Sequence, residues 1–424
     1  MIRLLIAGNE EVKDVPDTDN RPGSSRFLPT AILLLVSLLI ALAIGEVFIR
    51  LVYPEVGRAQ HRDSTLGWAT KEYKKFDPSS DADDGRTRLL VLGDSFLAGS
   101  GVDSMDSRFP VVLGEQQKDR LVTGILASGG WGTDQELLAF REKGAAWQPD
   151  IVILAFCANN DISNNLSNDD SIKKPKPYFA LANDTLALFD SEGNQLDYDT
   201  YGQHQEDPGW RPRSHLVDFT KHVLSGQRID EGVDGATLEE RYPNVDKRYL
   251  LFGKRAFNRR DIRNRKTHLD WSPQTDVTPF SAYIHENFAL NSYQWQLMEG
   301  IVGRLKEEVE AAGAQLFVLL LPVIFNPDDV GTIAGGSYEH RFETPAGPFT
   351  LRSAEPRERL AALTARLDVP FLDPTGDFID YITQNNLLEA AWPEDNNHFS
   401  EVGHNFLADW LGERIEILTA TPVR

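Results

Sequence analysis

Three side chains that acyl transfer requires occur at two places in this chain. Ser95 closes the tripeptide Gly93-Asp94-Ser95, and Asp395 and His398 form an Asp-x-x-His sequence near the carboxyl terminus. A serine hydroxyl attacks an ester only when a base removes its proton, and a carboxylate orients that base and stabilises its charged form. These residue types predict nucleophilic catalysis by Ser95, with His398 as the base and Asp395 as the orienting acid.

Donors for an oxyanion are predicted beside the serine. The backbone N–H groups of Ser95 and Gly130 and the side-chain amide of Asn160 are the candidates. Such donors stabilise the transition state of acyl transfer when they point at the developing negative charge. Taken alone, each of these residues is also typical of an ordinary turn. The prediction therefore depends on their occurring together with His398.

Apolar runs that are typical of buried strands precede these residues. Strands are predicted at 88–92, 121–126, 151–156, 315–321 and 369–372. They alternate with helical patterns, which indicates a parallel sheet covered by helices on both faces. Ligands bind at the carboxyl ends of the strands in such sheets. Ser95, Gly130 and Asn160 should therefore meet at one edge.

Helical patterns supply the outer layers of the predicted sandwich. The first begins at a predicted capping box, in which Thr133 caps the helix and Glu136 returns the hydrogen bond. Gly313 is the predicted end of the longest helix, and Ser400 is the predicted cap of the last one. Helices are predicted at 133–146, 287–312, 356–367 and 400–418.

An uncharged apolar run lies between Arg26 and Glu46. A helix that is apolar on every face is typical of a membrane span, which requires about 20 residues. We therefore expect a polar tail at 1–26 and a transmembrane helix at 27–49. Ala41-Leu42-Ala43 is similar to a signal-peptidase site, so cleavage of this segment stays open. Basic residues occur on both sides of the run, so its orientation stays open too.

The rest of the chain divides into a predicted linker at 50–87 and one large domain at 88–420. Two stretches within the domain, 163–285 and 324–355, are longer than connecting loops and are predicted insertions. The pattern of the first insertion predicts a β-hairpin with strands at 178–181 and 185–189. The second shows no clear element.

Composition excludes several classes of protein. The net charge of −21 over 424 residues argues against nucleic acid as a partner, because phosphates are bound by Lys and Arg. The single cysteine, Cys157, excludes an internal disulfide and a multi-cysteine metal site, and its position at the end of a strand predicts a small buried hydrophobe. No metal or cofactor is expected.

The four blocks, in this order, resemble the SGNH hydrolase superfamily, also called the GDSL esterases and lipases. Ser95, Gly130, Asn160 and His398 match the four residues for which the family is named, and the resemblance covers roughly 87–418 outside the insertions. It implies a flavodoxin-like three-layer α/β/α sandwich with a five-stranded parallel sheet, and ester hydrolysis or acyl transfer without a metal. Ala158 departs from the family pattern, since the third block usually has glycine there.

The resemblance also implies a setting. Anchored members often face the periplasm and act on envelope glycans or lipids, so we expect a membrane-anchored, extracytoplasmic esterase for an O-acylated substrate. An O-acyltransferase using the same Ser95 intermediate and a catalytically silent glycan-binding protein are the alternatives. Asp373 is an alternative to Asp395 as the orienting acid, and His404 is more typical of a packing residue. The oligomeric state is not predicted.

Overall fold

The computed structural model describes the chain in segments. These are residues 27–52, 61–63, 65–79, 85–166, 176–182, 185–190, 193–202, 266–269, 271–274, 277–392 and 398–420. The strands are β1 His61–Asp63, β2 Gly67–Ala69, β3 Thr87–Gly93, β4 Leu121–Ala127, β5 Ile151–Phe156, β6 Tyr178–Ala182, β7 Thr185–Phe189, β8 Gln195–Leu196, β9 Gln315–Leu320, β10 Glu339–Phe342, β11 Phe349–Arg352 and β12 Phe371–Leu372. The α-helices are α1 Phe27–Val52, α2 Lys71–Lys75, α3 Phe109–Gln116, α4 Thr133–Ala139, α5 Asp161–Asn164, α6 Ala289–Ala311, α7 Glu355–Arg366, α8 Thr375–Gln384, α9 Leu388–Ala391, α10 Glu401–Gly412 and α11 Ile415–Ala420.

The central element is a five-stranded sheet in the spatial order β12-β9-β5-β3-β4. Every neighbouring pair in it is parallel, as the strand–helix alternation predicted. The chain first adds β4 on one side of β3 and then adds β5 on the other. This is the 2-1-3-4-5 order of flavodoxin-like sheets, and its switch point lies between β3 and β5.

Continuous burial explains why these runs form central strands. All six residues of β5 are buried, and so are the last five of β3. Since successive side chains of a strand point to opposite faces, a fully buried strand requires a covering layer on each face. Helices α3 and α10 pack against each other, with α3 also against β4, whereas α4 and α6 form a second pair, with α6 against β9.

The predicted helix ends are confirmed in two of three places. Ser400 caps α10, because its side chain accepts a hydrogen bond from the Val402 N–H. Gly313 follows the end of α6 with φ of +84°, a conformation that favours glycine. The prediction of a capping box at Thr133 is wrong. Gly132 is the cap of α4, and the side chains of Thr133 and Glu136 are turned into the interior.

Residues 65–79 differ from the predicted linker, because they pack into the domain. The Trp68 indole N–H donates to the Gly129 carbonyl at 3.0 Å, and the Trp131 indole N–H donates to the Trp68 carbonyl at 2.9 Å. Glu72 forms an ion pair with buried Arg108 at 2.8 Å. A two-stranded hairpin and a five-residue helix are too short to give a periodic pattern, so the sequence did not indicate them.

Small sheets occur in both predicted insertions. The predicted hairpin in 163–285 is confirmed as β6 and β7, antiparallel with Tyr178 opposite Phe189, and β8 adds a third strand. The second insertion, where no element was predicted, contains the antiparallel pair β10 and β11. Much of 163–285 lies outside the described residues.

Helix α1 covers the predicted membrane segment and belongs to a different compact unit from the sheet. Its large apolar side chains between Ile32 and Phe48 are exposed. Among the residues that the structure describes, no helix combines the length and apolar character that crossing a membrane requires. The transmembrane prediction for 27–49 is therefore not confirmed, and the tail predicted at 1–26 lies outside the described residues.

Candidate active site

Three loops meet at the carboxyl edge of the sheet. Ser95 follows β3 almost at once, Gly130 lies three residues after β4, and Asn160 lies four residues after β5. Because β4 and β5 flank β3, the loops that carry these residues are neighbours. The three predicted residues therefore converge at the switch point of the sheet, where ligands bind in this type of fold.

The Ser95 hydroxyl contacts a histidine from the far end of the chain. His398 Nε2 lies 2.7 Å from Ser95 Oγ, within the range of a good hydrogen bond. The Phe96 ring packs against the imidazole, with ring centroids 4.7 Å apart, and holds it over the serine. In the tautomer with an unprotonated Nε2, the hydroxyl donates to the ring, which is the arrangement that proton removal from serine needs.

Close approach at Gly101 makes the contact between Ser95 and His398 possible. A Cβ added to Gly101 would lie 2.7 Å from the Phe399 carbonyl oxygen and 2.8 Å from His398 Cβ. Gly101 also has φ of +96°, which disfavours a side chain. Sequence reasoning did not single out this residue. Its signal was the Gly-Ser-Gly that follows the serine loop.

Two backbone N–H groups of the site make no hydrogen bond within the described part of the chain. They belong to Ser95 and Gly130. Gly130 has φ of +77°, and the nearest atom to an added Cβ is 3.9 Å away on Trp68. The glycine is therefore required by backbone conformation and not by lack of space.

Two asparagines after β5 orient the loop that contains Gly130. Asn164 Nδ2 donates to the Gly130 carbonyl at 3.0 Å, and Asn160 Nδ2 donates to the Trp131 carbonyl at 3.2 Å. A side-chain amide has two N–H protons, so one proton of Asn160 is not used by this bond. The Gly130 N–H shares a trans peptide group with the Gly129 carbonyl, which accepts the Trp68 indole N–H at 3.0 Å, so the Gly130 N–H points away from that bond.

The Asp94 side chain stabilises the turn that carries Ser95. It is 1% exposed, and Oδ1 accepts the Phe96 N–H at 3.0 Å while Oδ2 lies 3.4 Å from Ser95 Oγ. Burial raises the pKa of Asp94, and hydrogen bonding, chiefly from the Phe96 N–H, opposes that shift. Asp94 thus stabilises that turn.

A cluster of four buried carboxyls lies beneath the site, and sequence reasoning missed it. Asp94, Asp134, Glu136 and Asp161 are each at most 1% exposed. Burial raises the pKa of all four, and repulsion from neighbouring carboxyls raises the pKa values of Glu136 and Asp161 further. Lys176, ion-paired with Asp134, opposes the shifts of Asp134, Glu136 and Asp161. The raised pKa values of Glu136 and Asp161 favour the neutral forms of these two acids.

Three other residues that were considered for the site have structural roles. His404 is fully buried, Nδ1 accepts the Phe109 N–H at 3.3 Å, and burial lowers the pKa of the imidazole to about 3, so it is a packing residue as predicted. Asp373 accepts the Thr375 N–H at 3.0 Å at the start of α8. Burial raises the pKa of the Cys157 thiol well above its usual value, which fits the predicted small hydrophobe.

Asp395, the predicted orienting acid, lies outside the described residues. In the described part of the chain, no group of three or more His, Cys, Asp or Glu side chains could hold a metal ion.

No protein-family model matches this chain, and no curated protein matches its sequence. Solved structures that are similar include an acetyl xylan esterase, at 10% identity over 77% of this chain and 99% of that one, with a TM-score of 0.35. A psychrotrophic esterase from Pseudoalteromonas matches at 8% identity over 79% and 100%, with a TM-score of 0.35. A lipase/acylhydrolase from Enterococcus faecalis matches at 10% identity over 78% and 95%, with a TM-score of 0.31.

Proposed function

We propose that this chain is a serine-dependent ester hydrolase of the SGNH type. The observation that supports it most is the 2.7 Å contact between Ser95 Oγ and His398 Nε2 at the switch point of a parallel sheet. The neighbouring loops supply Gly130 and Asn160 in the order that the sequence resemblance implies. A nucleophile, a base and oxyanion donors are the parts that ester hydrolysis requires.

In the first half-reaction, Ser95 Oγ attacks the acyl carbonyl carbon while its proton passes to His398 Nε2. The carbonyl oxygen becomes an oxyanion, which accepts hydrogen bonds from the Ser95 N–H, the Gly130 N–H and the Asn160 side chain. Collapse of the tetrahedral intermediate breaks the bond to the alcohol, and His398 gives that alcohol the proton.

In the second half-reaction, His398 takes a proton from water, and the resulting hydroxide attacks the acyl-enzyme. The same donors stabilise the second oxyanion, and the proton returns to Ser95 as the acid leaves. Asp395 is proposed as the carboxylate that orients His398 and stabilises its charged form, on the strength of the Asp-x-x-His sequence. No step calls for a metal or cofactor.

Ser95→Ala tests the nucleophile. We expect turnover of a short-chain aryl ester to fall roughly 10⁴- to 10⁶-fold, as in serine triads that lose their nucleophile. Ser107→Ala is the matched control, because Ser107 Oγ donates to Glu401 at 2.7 Å and not to a residue of the site. A fluorophosphonate should label the wild type and the control but not Ser95→Ala. Wild-type turnover by Ser95→Ala would refute the proposal.

Asn160→Ala tests the oxyanion donors. Loss of one donor is expected to lower kcat about 10²- to 10³-fold with fluorophosphonate labelling slowed in parallel. Asn164→Ala is the comparison, since Asn164 orients the Gly130 carbonyl without a predicted contact to substrate. An unchanged kcat in Asn160→Ala would remove Asn160 from the site.

The natural substrate is proposed to be an O-acylated envelope glycan or lipid. Water and a sugar hydroxyl can both accept the acyl group from Ser95, so hydrolase and O-acyltransferase share the first half-reaction. Incubation with a labelled acyl donor and candidate glycans separates them. Free labelled acid as the main product supports the hydrolase, whereas labelled glycan would replace it by the transferase.

A membrane setting is proposed from α1, whose large apolar side chains such as Leu34, Val36 and Leu38 are 45–67% exposed. Exposed apolar patches of this kind mark interaction surfaces. Full-length protein should float with lipid vesicles, and Leu34→Lys with Leu38→Lys should reduce flotation without changing aryl-ester turnover. Wild-type protein that stays at the bottom of the gradient would overturn this setting.

A further inference from the structure

Asn159, the neighbour of Asn160, uses both ends of its side-chain amide in buried hydrogen bonds. The Tyr283 hydroxyl donates to Asn159 Oδ1 at 2.6 Å. Asn159 Nδ2 in turn donates to the Ile324 carbonyl at 3.1 Å. Tyr283 and Ile324 are at most 1% exposed and Asn159 is 8% exposed, so water does not compete effectively for these bonds.

The two partners of Asn159 belong to the two insertions. Tyr283 ends the 3₁₀ turn Ser281–Tyr283, at the carboxyl-terminal end of the first insertion. Ile324 follows β9, opens the second insertion and forms a β-bridge with Ile333. Asn159 therefore ties both insertions to the segment between β5 and α5, and that segment carries Asn160.

The turn that carries Tyr283 is firmly held. From α6, Asn291 Nδ2 donates to the Ser281 carbonyl at 2.9 Å, and Gln294 Nε2 donates to Ser281 Oγ at 3.2 Å. The Phe325 ring packs edge-on against the Tyr283 ring, with centroids 5.0 Å apart. An anchor fixed in this way can fix Asn159, because the hydroxyl has little freedom to follow a moving loop.

Asn160 is held more firmly through its backbone than through its side chain. Its carbonyl accepts the Asn164 N–H at 2.7 Å and the Ser163 hydroxyl at 2.9 Å, whereas its side chain donates to the Trp131 carbonyl over 3.2 Å, a long bond. Asn159 and Asn160 share one planar peptide group. Holding the Asn159 side chain at both ends therefore restricts the direction in which Asn160 leaves the backbone.

We propose that Tyr283 and Asn159 are positioning residues that hold the Asn160 amide at the place where the oxyanion forms. The insertions then influence the rate of the chemical step through their hydrogen bonds to Asn159. This inference rests on the proposed function, since it assigns support to one of its oxyanion donors. Neither residue is proposed to touch the substrate.

Tyr283→Phe in the full-length chain removes only the hydroxyl. We expect kcat to fall on the order of tenfold, less than the loss of the whole donor, with KM changed less than twofold. Tyr198→Phe is the matched control, because its hydroxyl also donates over 2.6 Å to a side-chain oxygen, that of Glu308 near the other end of α6. The control should keep wild-type kcat.

Combining Tyr283→Phe with Asn160→Ala separates positioning from general support of the fold. If Tyr283 acts through Asn160, the double variant has the kcat of Asn160→Ala alone. A further tenfold fall in the double variant, or wild-type kcat in Tyr283→Phe, would overturn the inference. Asn159→Ala, which removes both hydrogen bonds from the other partner, should repeat the tenfold loss, and wild-type kcat in it would overturn the inference as well.

The two proposals fail in different ways. An unchanged kcat in Asn160→Ala, with activity lost in Ser95→Ala, would remove the oxyanion role of Asn160 and this inference with it. A strongly reduced kcat in Asn160→Ala beside an unchanged kcat in Tyr283→Phe would overturn only the inference.

Discussion

Gly101→Ala places one methyl group between the serine loop and the histidine segment. The added Cβ would lie 2.7 Å from the Phe399 carbonyl oxygen and 2.8 Å from His398 Cβ. Ordinary contacts begin at 3.4 Å, so the two segments must separate by about 0.7 Å. The Phe399 carbonyl oxygen belongs to the backbone and His398 Cβ is bonded to it. Neither atom can turn away as the end of a flexible side chain could.

The separation acts directly on the contact between serine and histidine. If His398 moves away by that amount, the 2.7 Å between Nε2 and Ser95 Oγ becomes about 3.4 Å, beyond a normal hydrogen bond. Misplacement of a reacting group by about 1 Å costs on the order of 10²-fold in rate. We therefore expect kcat to fall roughly 10- to 100-fold, with little change in KM.

Gly313→Ala is the control for backbone strain. Gly313 has φ of +84°, close to the +96° of Gly101, and no atom lies within 4 Å of its added Cβ in the described part of the chain. Both variants should lose about 1 kcal/mol of unfolding free energy from the positive φ. Only Gly101→Ala should lose activity, because Gly313 precedes β9 at the opposite edge of the sheet.

The assay compares initial rates on a short-chain aryl ester with urea unfolding curves for the same preparations. The rate of fluorophosphonate labelling should fall with kcat in Gly101→Ala and stay at the wild-type value in Gly313→Ala. Turnover by folded Gly101→Ala within threefold of wild type would refute the argument from close approach. An equal loss of activity in Gly313→Ala would show that strain alone is sufficient.

Three further outcomes are expected from the buried groups and the oxyanion loop. Burial raises the pKa of Glu136, so its contribution to stability is present below the unfolded pKa of 4.5 and is lost as the pH rises through the folded pKa. Glu136→Gln should therefore flatten the fall in unfolding free energy as the pH rises above 4.5, and an unchanged slope would contradict this. Burial lowers the pKa of His404 to about 3, so the unfolding free energy falls by roughly 1.4 kcal/mol per pH unit as the pH drops below 6.5. His404→Gln should lose less unfolding free energy over the same range, as measured by acid unfolding curves. Gly130→Ala should lower the unfolding free energy about as much as Gly313→Ala does, because there is room for the added Cβ. It should also lower kcat, because the strained backbone displaces an oxyanion donor, and a wild-type kcat would exclude that role.

Local patterns were sufficient for the strands and for the identity of the central residues. The apolar run at 151–156 became β5 with the predicted bounds, because a strand buried on both faces needs no polar position. Ser95, Gly130 and Asn160 could be placed at one edge from their positions after strands, since the carboxyl ends of parallel strands share that edge. The cap at Ser400 was equally local, since it depends on residues two positions apart.

Two predictions were wrong because they assumed that a segment was exposed, whereas the fold buries it. Thr133 and Glu136 have the spacing of a capping box, but the carboxylate lies among buried carboxyls instead of returning to the backbone. Residues 65–79 lack periodicity, yet Trp68 is buried through contacts with the loop after β4, about 60 residues away. In both cases the decisive contacts come from distant parts of the chain.

The chemistry available to this protein can be inferred from its sequence: a serine, a histidine and amide donors, each attached to an element whose type is encoded by nearby residues. The positions of these groups relative to one another depend on the fold. The 2.7 Å contact joins residues 303 positions apart, and the bond from Tyr283 to Asn159 joins residues 124 positions apart. Side-chain spacing along the chain carries no information about such distances, because they are set by how helices and strands pack, and packing depends on the whole core at once.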